Sequence, residues 1–221
     1  MNELSLTMGN KNYSSWSLRP WILMKHLGLA FAEQVLPLDT PEFARDIVKY
    51  SPTGRVPILR HGELLVWDSL AICEYVCELA GAGWPRDGAA RAVARSVCAE
   101  MHSGFGALRT QWPMNARARD RKTPDDAARS ADIARIGEIW SQCRARFGES
   151  GPWLFGAYCV ADAMYAPVVL RFHTYGAALD GASAAYAATV LADPHLQSWL
   201  EAARAEPWTI EASEIGTWRR T

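Results

Sequence analysis

The fold is decided by two stretches, Arg55-Val56-Pro57-Ile58-Leu59 and Trp67-Asp68-Ser69-Leu70-Ala71-Ile72. Proline cannot donate a ladder hydrogen bond, so Pro57 should open a strand or lie at a sheet edge. An X-Pro peptide bond can be cis, and a cis Val56–Pro57 bond would turn the Val56 backbone outward. Backbone N–H and C=O groups exposed in this way can pair with an extended peptide, as an added strand would.

The second stretch opens a helix. Its apolar spacing predicts a helix from Ser69 to Ala80, and Gly81 should end it. The N-terminus of a helix carries free N–H groups and the positive end of the helix dipole, which favour a carboxylate. A strand edge and a carboxylate-binding helix start therefore follow each other closely in the chain. The alternative is a β-hairpin and a capped helix that bind no ligand.

A serine-rich stretch lies where the predicted first strand ends: Tyr13-Ser14-Ser15-Trp16-Ser17-Leu18-Arg19-Pro20-Trp21. Proline is free of penalty only in the first turn of a helix, so Pro20 predicts a helix start near Ser17. Ser14 and Ser15 would then lie just ahead of the positive helix end. A thiol held there is driven toward thiolate by the dipole and by a hydroxyl hydrogen bond. Helix capping would explain one serine but not three.

These motifs resemble those of the cytosolic glutathione transferases. The stretch Ser14–Arg19 is similar to the serine-type members, and closest to the zeta class, whose motif is S-S-C-S-W-R. The resemblance implies that Ser14 stabilises the glutathione thiolate, with Ser15 as the second candidate and Ser17 as the third. Trp16 stands where the zeta class has cysteine, which adds bulk over the pocket.

The same resemblance implies how glutathione, the co-substrate, would be held. The Val56 backbone beside cis-Pro57 would pair with the cysteinyl unit, and Asp68 and Ser69 would bind the γ-glutamyl end. Arg55 would assist by its charge, and Arg19 would anchor the first helix to the second domain. Candidates for an electrophile pocket are Trp16, Met101, Phe105, Trp112 and Met114.

The order of predicted elements is β-α-β-α-β-β-α, which is typical of a thioredoxin-like domain and then gives way to helices alone. The predicted fold class is therefore α/β plus all-α. The expected divisions are a glutathione-binding domain over 1–81, a linker over 82–88 and an all-helical domain over 89–221. Helical windows cover 89–112, 125–147, 161–176, 183–192 and 194–205, and 117–123 is predicted to be a linker.

A short stretch of the second half, Gly156–Asp162, resembles an N-capping element of the family's core helix. Cys159 stands where serine or threonine is usual, so a capping hydroxyl is missing. We therefore expect Asp162 to carry more of the cap.

Composition limits the partners. The chain has 221 residues, 49% of them hydrophobic, and a net charge of −1, which disfavours a nucleic-acid or membrane-surface partner. The start of the chain lacks the pattern of a signal peptide, and no apolar run reaches about 18 residues. The five cysteines have no framework spacing and indicate reduced thiols in a cytoplasm. The histidines lack metal-ligand spacing, so no metal is expected.

The predicted activity is the addition of glutathione thiolate to an apolar electrophile, or displacement of a leaving group from it. The resemblance also implies a homodimer. One alternative is a cis-trans isomerase of the maleylacetoacetate kind. The zeta arginine that binds an acidic substrate is replaced by Thr174 here, and Arg171 lies about one turn earlier. A second alternative is a non-catalytic binding protein. A cysteine-type reductase is disfavoured because no cysteine precedes Cys73.

Overall fold

The computed structural model describes residues 3–218. Its N-terminal part alternates strands and helices in the predicted order. The elements are β1 (Leu4–Gly9), α1 (Ser15–His26), β2 (Phe31–Leu36), α2 (Pro41–Asp46) with a 3-10 turn at Ile47–Lys49, β3 (Ile58–His61), β4 (Leu64–Trp67) and α3 (Ser69–Ala80).

Four strands form one mixed sheet in the order β2-β1-β3-β4. The β1–β2 pair is parallel, as a crossover through α1 requires, and the other two pairs are antiparallel. Leu6 and Met8 of the central strand β1 are fully buried beneath the helices. This topology confirms the predicted thioredoxin-like sheet.

The remaining part of the chain is dominated by helices. They are α4 (Gly88–Ser103), α5 (Gly106–Gln111), α6 (Ala127–Phe147), α7 (Val160–Tyr175), α8 (Gly181–Leu191) and α9 (Pro194–Ala205), with a 3-10 turn at Glu211–Ser213. Helix α7 is buried along nearly its whole length and packs against α1, α4 and α8. Because α7 contacts α1, the helical part of the chain lies against the helix that the serine-rich stretch begins.

The start of α1 differs from the prediction. The helix begins at Ser15, with Ser14 as its N-cap residue, so Pro20 lies inside the helix and not in its first turn. Proline there removes one backbone hydrogen bond, to the carbonyl four residues earlier. Burial of Trp21 and Ile22 in the core supplies the packing energy that holds the helix together across this gap.

The helical half also departs from its predicted outline. The window 89–112 is broken at Gly104-Phe105, where Phe105 has a φ of 58°. Residues 117–123, predicted to be a linker, contain a two-residue strand, Arg121–Lys122, which pairs antiparallel with Thr217–Trp218. Strands of two residues have no periodicity to detect. Gly216 (φ 90°) passes so close to this strand that a Cβ atom would lie 3.0 Å from Lys122 O.

Asp162 caps α7 with one carboxylate oxygen and holds the preceding loop with the other. Oδ1 accepts from Leu154 N at 3.1 Å, and Oδ2 accepts from Cys159 N at 2.9 Å. Burial raises the pKa of this carboxyl to about 6. The structure thus gives Asp162 the enlarged capping role expected from the missing hydroxyl.

Among the helices within residues 3–218, none combines the length and the apolar character needed to cross a membrane.

Candidate active site

A cleft of about 630 Å³ opens between the sheet edge, the start of α3 and the C-terminal end of α4. It brings together six of the residues singled out from the sequence, and the Val56–Pro57 bond beside it is cis. The lining residues are Trp16, Thr53, Arg55, Val56, Pro57, Trp67, Asp68, Ser69 and His102.

The loop that carries Val56 is stabilised by hydrogen bonds to one of its own side chains. The buried Ser51 Oγ accepts hydrogen bonds from Thr53 N at 3.3 Å and from Arg55 N at 3.1 Å. Pro57 directly precedes β3, as expected for a proline at the start of a strand. Val56 therefore lies outside the strand ladder and lines the cleft.

Asp68 has two sets of contacts. Its Oδ1 accepts from Leu70 N at 2.8 Å and Ala71 N at 3.2 Å, which caps α3. Its Oδ2 lies 3.1 Å from His102 Nε2 on α4. The residue adopts a φ of 71°, an uncommon conformation that turns the carboxylate toward the cleft end of α3.

Ser69 is the first residue of α3 and only 1% exposed. Its hydroxyl oxygen is buried and has no hydrogen-bond partner within residues 3–218. A buried hydroxyl without a partner costs about 1–3 kcal/mol, so a ligand group that bonds to it gains that energy on binding.

The serines at the start of α1 have different partners. The Ser14 hydroxyl donates to Ser17 Oγ at 2.7 Å, and Ser17 Oγ also accepts from Gly9 N at 3.2 Å. Ser15 Oγ instead accepts from Arg171 Nη2 at 3.2 Å. Ser14 and Ser15 are 5% and 7% exposed and are not among the lining residues of the cleft, whereas the next residue, Trp16, is one of them.

Three arginine side chains lie near the start of α1. The Arg19 guanidinium stacks on the Trp16 ring at 4.2 Å, and Arg109 lies 5.1 Å from the same ring. Within residues 3–218, neither these two nor Arg171 has a carboxylate within ion-pair distance. Burial, with neighbouring positive charge, lowers the pKa of Arg19 to about 10 and that of Arg171 to about 9. The region behind Trp16 is therefore electropositive.

The loop ahead of α1 is held by the end of α9. The Glu206 carboxylate accepts from Lys11 N at 2.7 Å and from Asn12 N at 3.0 Å. Trp199 Nε1 donates to Lys11 O at 2.8 Å. These contacts fix the backbone that leads into Ser14.

Four of the proposed electrophile residues do not line the cleft. They belong to the main hydrophobic core, and the most exposed of them is 7% exposed: Met101, Phe105, Trp112 and Met114. Apolar residues at helical spacing pack inward, because burying them supplies the folding energy. Of that set, Trp16 alone is found in the cleft.

Three lining residues were missed by the sequence reasoning: Thr53, Trp67 and His102. His102 follows Met101 and is rotated by about 100° around α4, so the same helix presents Met101 to the core and His102 to the cleft. A polar residue beside a predicted core position was the available signal. The sequence carries no such signal for Arg171 or Glu206, because the residues that they contact are distant in the chain.

In the part of the chain that the structure describes, no group of three histidine, cysteine, aspartate or glutamate side chains could hold a metal ion.

Comparison with known proteins agrees with this geometry. A family model described as "Glutathione S-transferase, N-terminal domain" matches residues 13–79. A dichloromethane dehalogenase of Methylorubrum extorquens is 44% identical over 57 residues, which are 25% of this chain and 20% of that protein. The match thus spans about a fifth of the length of this curated relative.

Solved structures share the fold over nearly the whole chain. A glutathione transferase homologue from Burkholderia gl BGR1 with bound glutathione has a TM-score of 0.69 at 23% identity, covering 92% of this chain and 100% of that one. A theta class glutathione S-transferase from Xanthomonas axonopodis pv. citri with glutathione bound has a TM-score of 0.57 at 23% identity, covering 100% and 99%.

The thioredoxin-like sheet, the helical second half and the matched N-terminal segment together define the class of protein. Residues 13–79 match the N-terminal domain of the glutathione S-transferase family, and the chain as a whole shares the fold of the solved glutathione transferases.

Proposed function

We propose that this protein is a glutathione transferase that binds glutathione in the cleft and activates its thiol with a serine hydroxyl at the start of α1. The observation that carries the proposal is the juxtaposition of the Val56–Pro57 edge with the N-terminus of α3, at one cleft. The two solved relatives described above were determined with bound glutathione, which supports the same ligand here.

The cleft offers a partner for each end of glutathione. The unpartnered Ser69 hydroxyl, at the positive end of the α3 dipole, suits the α-carboxylate of the γ-glutamyl unit. The Asp68 carboxylate suits its ammonium group. The Val56 backbone would pair with the cysteinyl unit as an added strand does, and Arg55 would attract the glycyl carboxylate. Glutathione held in this way directs its sulfur toward α1.

Activation then lowers the pKa of the bound thiol. A free cysteine thiol titrates near about 8.5, and one hydrogen bond to a charged group contributes about 1.5–3 kcal/mol. Such a bond lowers the pKa by roughly one to two units, because one unit corresponds to about 1.4 kcal/mol. The electropositive region around Arg19 and Arg171 acts in the same direction.

The thiolate sulfur forms a new bond to the electrophilic carbon, and the leaving group departs with the bonding electron pair. In an addition, the carbanion formed instead takes up a proton from water. Holding both reactants in one cleft supplies much of the rate. We propose an apolar electrophile, since the indole rings of Trp16 and Trp67 lie at the cleft.

A second candidate function is supported by one observation. Arg171, which sequence reasoning could not bring to the site, donates to Ser15 Oγ. A guanidinium so close to the reacting sulfur would favour an acidic substrate, as in a glutathione-dependent cis-trans isomerase of the maleylacetoacetate kind. Comparing turnover of maleyl-type diacids with turnover of aryl halides separates the two.

We also propose a homodimer in a reducing compartment such as the cytoplasm. Three large apolar side chains on or beside the sheet edge and α3 are exposed by 44–48%: Leu64, Trp67 and Leu79. The free cysteines of the described residues are all buried, as reduced thiols would be. Light scattering during gel filtration would detect the dimer.

The proposed activity is tested by calorimetric titration with glutathione and by conjugation of chlorodinitrobenzene. We expect saturable binding and a conjugation rate above the uncatalysed rate. S-methylglutathione is the matched control, because it should bind in the same cleft and yield no product. The absence of both glutathione binding and turnover would contradict the proposal.

A further inference from the structure

We propose that Ser15, oriented by Arg171, is the hydroxyl that donates to the glutathione thiolate, in place of Ser14. This inference rests on the proposed function, because it concerns how the same site activates the thiol. It assigns to Arg171 a positioning role that the sequence motif does not reveal.

The hydroxyl proton of Ser14 is already used in a hydrogen bond. A serine hydroxyl has one hydrogen to donate and two lone pairs that accept. The Ser14 hydroxyl donates that hydrogen to Ser17 Oγ at 2.7 Å, within a fully closed environment where Ser17 is 0% exposed. Ser14 is therefore committed to holding the first turn of α1, and donating to a thiolate would cost it this bond.

The hydroxyl of Ser15 accepts a hydrogen bond and keeps its own proton. A guanidinium has donors and no acceptor, so the contact between Arg171 Nη2 and Ser15 Oγ can only be a bond that Ser15 accepts. Within residues 3–218, this is the one hydrogen bond of Ser15 Oγ. Its hydrogen remains free to point at a ligand. The bond from Arg171 also polarises the hydroxyl, which makes Ser15 a stronger donor.

Arg171 is held in place by backbone carbonyl groups. Its Nε donates to Trp112 O at 2.8 Å and its Nη1 donates to Pro167 O at 3.2 Å. Both partners are backbone carbonyls, so they orient the side chain without neutralising its charge. The residue is 4% exposed, and water screens this charge little. Arg171 therefore aims a nearly unscreened positive charge at Ser15.

The Arg171 contact explains why two adjacent serine hydroxyls differ in whether their proton is free to donate. The backbone at the α1 start directs Ser14 back over its own helix and directs Ser15 toward α7. The two side chains then share the same burial but not the same chemistry. A thiolate brought to this corner meets a free donor at Ser15 and an occupied one at Ser14.

The test is a titration of bound glutathione, followed by thiolate absorbance, in the wild type and in Ser14→Ala and Ser15→Ala. We expect Ser15→Ala to raise the pKa of the bound thiol by about one to two units, because a hydrogen bond to a charged group is lost. Ser14→Ala should raise it by less than half as much. The reverse order, or equal shifts, would overturn the assignment to Ser15.

Arg171→Met and Arg171→Lys test the positioning role. We expect Arg171→Met to raise the thiol pKa and move the acidic limb of the kcat/KM profile to higher pH by a similar amount. Arg171→Lys retains the charge and should recover part of that shift. A folded Arg171→Met protein with an unchanged thiol pKa would contradict the role of Arg171. If Arg171→Met does not fold, Arg171→Lys and the two serine variants still decide the inference.

Failure of this inference is distinct from failure of the proposed function. A wild-type protein that binds no glutathione, or binds it without a lowered thiol pKa, would refute the function and the inference together. A lowered pKa in the wild type that depends on Ser14 and not on Ser15 would refute the inference alone.

Discussion

Asp68 Oδ2 lies 3.1 Å from His102 Nε2, and this contact joins the N-terminus of α3 to the C-terminal end of α4 across the cleft. One carboxylate thereby caps a helix of the sheet half and contacts a side chain of the helical half. The proposed γ-glutamyl site is consequently built from both halves of the chain. Substitutions on the helical side should therefore affect glutathione binding as well as the electrophile.

We predict that Asp68→Asn weakens glutathione binding by about tenfold, because a charged partner of the ammonium group is lost. The amide oxygen can still accept from Leu70 N and Ala71 N, so the melting temperature should change little. Asp68→Ala removes the cap as well and should cost about 1 kcal/mol of stability in addition. Calorimetry and thermal unfolding measure the two effects. An unchanged dissociation constant in Asp68→Asn would remove the residue from the site.

We predict that Trp16→Leu raises KM for an aryl electrophile more than it raises the dissociation constant of glutathione. The Trp16 ring lines the cleft and stacks on Arg19, so its loss removes an aromatic surface and exposes buried charge. Trp16→Phe is the control that keeps a ring. Steady-state kinetics with chlorodinitrobenzene provide the measurement, and equal KM values in all three proteins would count against a role in the electrophile pocket.

We predict that Glu206→Gln lowers kcat/KM by about tenfold, since the new amide nitrogen cannot accept from a backbone N–H and one of the two bonds that fix residues 11 and 12 is lost. Hydrogen exchange of the Lys11 and Asn12 amides should become faster in the variant. Glu201→Gln, an exposed position on α9, is the matched control. Faster exchange without any loss of activity would show that the loop does not need this restraint.

Stability should depend on pH through Asp162. Burial raises the pKa of its carboxyl from 3.8 to about 6, so between these pH values the folded protein binds more protons than the unfolded chain. Its contribution to stability is fully present below the lower value and is lost as the pH rises through the higher one. Each unit of the shift corresponds to about 1.4 kcal/mol.

Asp162→Asn cannot titrate and should remove this component, although the amide loses one capping bond and lowers stability at every pH. The difference between the unfolding free energies of the wild type and the variant, measured in denaturant, should therefore shrink as the pH rises from 4 to 7. A constant difference would show that the buried carboxyl does not titrate in this range.

Local sequence features predicted the sheet half of the protein well. Pro57 at a strand start, Ser69 as a helix start and Gly81 as a helix stop are each predicted from neighbouring residues, and the structure has all three. The predicted start of α1 was wrong because it rested on a local rule as well. That rule places a proline such as Pro20 in the first turn of a helix and considers only the neighbouring backbone. Packing of that helix against the core overrides the rule.

The candidate site was predictable only in part. Ser15 and Arg171 are separated by 156 residues, and Lys11 and Glu206 by 195, so no local pattern indicates either contact. Helical periodicity singles out Met101 as an apolar position on α4, and it does not identify which polar neighbour, here His102, faces the cleft. The long-range contacts depend on how α7 and α9 pack on the sheet half.

The central claim is that the cleft binds glutathione as a thiolate. Its most direct test is the absorbance of the bound thiolate in the wild-type protein, recorded as the pH is raised. We expect the bound thiol to have an apparent pKa about one to two units below that of the free thiol. Saturable binding with an unshifted thiol pKa, or no binding at all, would contradict it.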